Sequence, residues 1–96
     1  MITIEGGRIG GTVDMVRVGQ VSESERVAPS FPGRAGRRWI WILMEGEAIP
    51  DASAIRAGRV EGDVATISEG TVPPSERLEI WATGYAGRGY AVFVLN

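Results

Sequence analysis

The sequence contains no cysteine, no histidine and no lysine, and all ten of its basic residues are arginine. Without cysteine there are no disulfides, no thiolate metal sites and no thiol nucleophile. Without histidine the usual Ser-His pairing cannot be built, and zinc and transition metals lose their best ligands. Without lysine there is no Schiff-base amine and no Walker-type phosphate loop. Long apolar runs are also missing. None is longer than Trp39 to Met44, which is far short of the roughly 20 residues of a membrane-spanning helix. Met1 is followed by Ile-Thr-Ile-Glu, which has neither the basic nor the apolar region of a signal peptide. A virion or the cytoplasm is consistent with these absences. The net charge of −2 supplies no field that would draw the chain to nucleic acid or to an anionic membrane.

What is present is glycine, proline and short apolar runs. Fourteen glycines and five prolines leave few stretches long enough for a helix. The runs between them are rich in Val, Ile, Thr, Trp and Tyr, which suit a pleated, half-buried surface. At 96 residues the chain is one domain, 1–96. Residues 1–11 form a glycine-rich N-terminal arm and residues 29–38 a basic loop. The expected strands are Ile2–Glu5, Thr12–Val18 with either a bulge near Met15 or both faces buried, Trp39–Glu45, two short strands within Arg59–Ser68 around a turn at Glu61-Gly62-Asp63, Arg77–Thr83, and Tyr90–Leu95. Glu69-Gly70 reads as a further turn. Ser22–Ala28 is an edge strand or a turn of helix. Ala52–Ala57 is a strand or a short helix, with Asp51 as its N-cap and Gly58 as its stop. The last two strands suggest a hairpin closed by the six residues Gly84–Gly89. No internal repeat is evident. The fold class is all-β: a small antiparallel β-sandwich or barrel of about seven strands, with at most one short helix.

Two strands are apolar on both faces. Trp39, Trp41 and Leu43 oppose Ile40, Ile42 and Met44; Tyr90, Val92 and Val94 oppose Ala91, Phe93 and Leu95. An antiparallel sheet usually has one wet face. Such strands therefore need a second cover, from the chain's own arms, another subunit, or a ligand. If a partner supplies it, Trp39, Trp41, Trp81, Tyr85, Tyr90 and Phe93 are the candidate anchors, because aromatic side chains dominate desolvated contacts.

The loop before the first of these strands holds Arg34, Arg37 and Arg38. Arginine forks bind phosphate or carboxylate, and the adjacent tryptophans could stack on a base. Arg34 and Arg38 have R-x-x-x-R spacing, which resembles that of the PilZ domains, small β-barrels that bind cyclic di-GMP. The pattern of that family continues with [DN]-x-[SA]-x-x-G. Here Asp51-Ala52-Ser53 opens it, but Arg56 stands where the glycine belongs and the glycine comes at Gly58.

Carboxylates are the remaining chemistry. Glu45 and Glu47, with Asp51 in the next turn, could serve a carboxylate-only hydrolase or an oxygen-ligated Ca²⁺. Solvated charge at a strand end explains them more simply, as it does Glu61 and Asp63. The expectation is therefore a non-enzymatic interaction module without a cofactor. It would assemble with protein partners as a homo-oligomer or larger complex, most plausibly as a small virion component such as a capsid decoration or tail protein. A small anionic ligand at the arginine loop is the alternative.

Overall fold

The computed structural model describes residues 4–96. Among these residues the domain is all-β and antiparallel, with eight strands and one short helix. The main sheet has four strands in the order β3 (Val13–Gln20), β8 (Gly89–Leu95), β5 (Arg38–Met44), β6 (Val64–Thr71). Two ribbons flank it: β1 (Ile4–Glu5) with β2 (Arg8–Ile9), and β4 (Arg26–Val27) with β7 (Ile80–Trp81). The helix α1 spans Ala52–Arg56. Asp51 caps it, its side chain accepting from the Ser53 N–H at 2.9 Å, and Gly58 follows with φ +86°.

The two central strands have cores on both sides, and the chain itself supplies both covers. On one face Trp41, Leu43, Val92 and Val94 meet Val27, Phe31, Leu78 and Ala82 from the β4–β7 layer. On the other, Ile40, Ile42, Phe93 and Leu95 meet Ile9 and Ile55, from β2 and α1. The alternation expected along both strands is therefore correct. Ile40, Ile42, Val92, Phe93 and Val94 are all completely buried, so these faces are not open to a partner.

The chain is an internal repeat, contrary to the reading of the sequence. Val13 and Val64 begin equivalent strands, as do Arg38 and Gly89, and the separation is 51 positions in each case. The hydrogen bonds repeat with the same offset. Ile9 N–H donates to Gly58 O (2.9 Å) as Val60 N–H does to Gly7 O (2.7 Å). Glu45 N–H donates to Asp63 O as Asn96 N–H does to Thr12 O, both at 2.9 Å. Even the bulge expected near Met15 recurs: the pairing of β3 with β8 slips between Val13 and Met15, and that of β5 with β6 slips between Leu43 and Met44.

A pseudo-two-fold axis relates the halves. It crosses the sheet at the pair Trp41↔Val92, two residues 51 apart. On one side it passes between Arg8 and Arg59, which face each other in a bridge. On the other it exchanges the pairs Arg26↔Trp81 and Ser30↔Arg77. The halves also exchange strands. β3 of the first half pairs with β8 of the second, and β6 of the second pairs with β5 of the first.

Several expectations change in consequence. Residues 77–83 and 90–95 do not form a hairpin. Only Ile80–Trp81 is a strand there, and it pairs with β4, while β8 lies between β3 and β5. Within residues 77–83, Leu78 and Ala82 are buried, and Glu79 and Trp81 point out. Arg59–Ser68 is not two strands about a turn. Arg59 makes the isolated bridge to Arg8, and one continuous strand then runs from Val64 to Thr71. Gly70 is no turn residue, because β6 passes straight through it beneath the Trp39 ring. Of the expected strand Ile2–Glu5, Ile4–Glu5 is present as β1, and Ile2 and Thr3 lie outside the described residues. The arm does not hang free: β1 and β2 fold back as a ribbon and bury Ile9.

Candidate interaction surfaces

The arginine loop is built on a tight backbone frame. Arg34 N–H donates to Phe31 O (3.1 Å), Arg37 N–H to Arg34 O (3.0 Å) and Gly36 N–H to Val72 O (2.8 Å). The Glu76 carboxylate accepts from Gly33 N–H at 2.7 Å. The equivalent loop in the second half is held the same way, with Glu25 accepting from Gly84 N–H at 2.6 Å. Both glutamates have positive φ, 61° and 63°. Non-glycine residues resist that conformation, and here each one aims a carboxylate at the partner loop.

The guanidinium groups of this loop turn back onto the chain. Arg34 grips Asp14 of β3 through two contacts, at 2.5 and 3.3 Å. The Arg34 hydrogen bond holds the Asp14 carboxyl below its usual range against the opposing pull of burial, with lesser help from the Arg34 and Arg37 charges; the same hydrogen bond, and then the Asp14 charge, raise Arg34. Arg37 is 3.8 Å from Asp14 and also donates to Asn96 Oδ1 at 3.4 Å. Arg38 pairs with Glu69 of β6. The three cations thus neutralise two edge-strand carboxylates of their own domain. The parts of the PilZ-like pattern separate as well. Arg38 begins β5, whereas Asp51 caps α1 beyond that strand's far end.

The aromatic candidates divide by burial. Phe93 and Trp41 are interior, with Trp41 stacked on Tyr90 at 5.0 Å between ring centroids. Trp39 and Tyr90 are half-buried, and burial pushes the Tyr90 hydroxyl up from its ordinary pKa. Tyr85 is half-buried beneath the Arg88 guanidinium, which lies 5.8 Å from its ring centroid. Trp81 alone among them stands free, at 62% exposure. Its equivalent in the first half is Ser30, so the fold does not require an aromatic residue at this position. Close by lies a cavity of about 360 Å³ lined by Arg26, Ser30, Ser75, Arg77 and Glu79.

The acidic residues gather at the other end of β5. Glu45, Asp51, Glu61 and Asp63 line a cavity of about 480 Å³ with Met44 and Ile49; Glu47 stays outside it. Among the described residues no three carboxylates converge closely enough to hold a metal ion.

Composition alone did not expose the axis residues Arg8 and Arg59, which the 51-residue offset would have found. No family model, curated protein or solved structure matches the chain.

Proposed function

We propose that this domain is a non-enzymatic interaction module that assembles into a larger complex, and that Trp81 is its principal anchor. A small virion component, a capsid decoration or tail protein, is the concrete form of this reading, by analogy of size and architecture. The observation that carries the proposal is the asymmetry at the pseudo-two-fold. One half satisfies the fold with Ser30 where the other displays an indole to water. Exposed tryptophan costs solubility and contributes most when a partner desolvates it. The flanking Arg26, Arg77 and Glu79 make a polar rim around an apolar centre, as interfaces commonly have.

Ligand binding at the arginine loop has less support, because Arg34 and Arg38 are engaged by Asp14 and Glu69. A carboxylate-only hydrolase rests only on the acidic cavity.

Sedimentation tests the proposal. The wild-type chain should run at low micromolar concentration as a particle larger than the 10.3 kDa monomer, or do so once its partner is added. Trp81→Ser, which installs the residue of the other half, should shift it toward the monomer without loss of stability. An unaltered particle with Trp81→Ser would overturn the assignment.

A further inference from the structure

We propose that Arg8 and Arg59 form a phosphate-binding site on the pseudo-two-fold axis, on the face opposite Trp81.

The two residues are direct partners in an antiparallel bridge. The bonds on either side, Ile9 N–H to Gly58 O and Val60 N–H to Gly7 O, make this a non-hydrogen-bonded pair. That is the register in which opposite side chains come closest. Both side chains are exposed and leave the same side of the ribbon, since Ile9 next to Arg8 points into the core. Like charges directly opposed in this way destabilise a sheet. Among the described residues no carboxylate lies within the 4.0 Å ion-pair distance of either guanidinium. Glu5 does not relieve them, although it is the cross-strand neighbour of Arg8.

The internal repeat makes the pair informative. The surface positions around it have diverged: Glu5 corresponds to Arg56, Gly10 to Glu61 and Thr12 to Asp63. Arginine stands at the axis in both halves. Arg37 and Arg88 are also kept in both halves, and their reason is structural, because each donates to the strand end of the opposite half, at Asn96 Oδ1 and Glu45 O. At the other pole Arg26 has Glu79 at 3.5 Å. Among the described residues Arg8 and Arg59 make no such ion pair or hydrogen bond, so nothing described there offsets the repulsion between them.

Two guanidinium forks carried by directly opposed residues suit a ligand with more than two charged oxygens. One carboxylate is saturated by a single fork, whereas a phosphate group presents three or four oxygens and carries close to two charges. A two-fold pair can therefore hold it from both sides, as free phosphate or as the phosphomonoester of a small molecule.

The test uses the full chain, wild type and the variants Arg8→Gln and Arg59→Gln, in a phosphate-free buffer of fixed ionic strength. Each variant should melt at the wild-type temperature or above it, because repulsion is removed. Millimolar inorganic phosphate should raise the melting temperature of the wild type alone, and should shift the Nε–H resonances of Arg8 and Arg59. Either substitution should weaken binding at least tenfold. Tighter binding of glycerol phosphate than of inorganic phosphate would identify a phosphomonoester as the ligand; equal binding would identify the free anion. A variant that melts below wild type without phosphate, or an equal phosphate effect on all three proteins, would overturn the proposal. So would binding of neither small probe.

Discussion

The indole of Trp39 lies over Gly70 of the neighbouring strand, so close that a methyl group at Gly70 would sit 2.5 Å from its Cζ2. The pseudo-two-fold repeats the arrangement, with Tyr90 over Gly19 at 3.0 Å from Oη. In each half an edge strand gives up a side chain so that an aromatic ring of the inner strand can lie across it.

Gly70→Ala should therefore destabilise the domain by about 1–3 kcal/mol, the usual cost of an overpacked site. An unconstrained strand position would instead gain roughly 0.5–1 kcal/mol from losing glycine. Gly19→Ala should cost less, since the clash is with the tip of the Tyr90 ring. Urea unfolding midpoints of the two variants check both the sign and the order.

The glutamates with positive φ should behave as a matched pair. Each of Glu25→Ala and Glu76→Ala loses a charge-assisted hydrogen bond to a loop N–H, which contributes about 1.5–3 kcal/mol. Each also leaves alanine in the left-handed region. Chemical denaturation should find similar losses for the two variants. A loss confined to one would mean that the loops are not held equivalently.

Acid should reveal the Arg34–Asp14 pair. Asp14 is held below its ordinary value of 3.8 by the Arg34 hydrogen bond, so the folded protein releases this proton more readily than the unfolded chain does. The pair's stabilisation is then complete above that ordinary value and is lost as pH falls through the lower folded value. Asp14→Asn should melt below wild type at pH 7, and the two curves should converge as the pH drops under about 4. Melting temperatures by circular dichroism from pH 7 to pH 2 check this. Parallel curves would show that the pair contributes nothing.

Phe93 is fully enclosed against the α1 side of the sheet. Phe93→Ala should cost about 3–5 kcal/mol and leave the sedimentation of any remaining folded protein unchanged. A changed assembly state with preserved stability would contradict its placement in the interior.

Local chemistry was legible in the sequence where one segment decides it. The alternation in β5 and β8 follows from residue type and period, whereas the bulge by Met15 and the Asp51 cap of α1 were each one of two forms that the local residues allowed. Partnership was not legible. The run from Arg77 to Thr83 alternates as a strand should, but nothing local shows that it pairs with β4 rather than β8. Gly70 resembled a turn because its reason lies on another strand, at Trp39. Gly89 is similar: a side chain there would meet the linker backbone at Ala48, which explains why its equivalent, Arg38, could not be kept. The repeat escaped notice because the matching residues are scattered. Val21/Val72, Glu25/Glu76 and Gly36/Gly87 are kept by the frame, whereas Arg34/Tyr85 and Ser30/Trp81 have parted. Of the aromatic candidates, only Trp81 lies open. The pairing of the arginine loop was not legible because Asp14 and Glu69 sit on the two edge strands, far from it in sequence.

The exchange of strands sets the order in which the molecule can be made. β8, the last strand in the described sequence, occupies the middle of the sheet and hydrogen-bonds to both β3 and β5. Until it leaves the ribosome, β3 has no partner and the apolar faces of β5 have only part of their cover. The first half must wait, exposed, for the second. Non-local pairing of this kind folds slowly and leaves sticky intermediates, so the yield of soluble protein should depend on how quickly translation reaches residue 95.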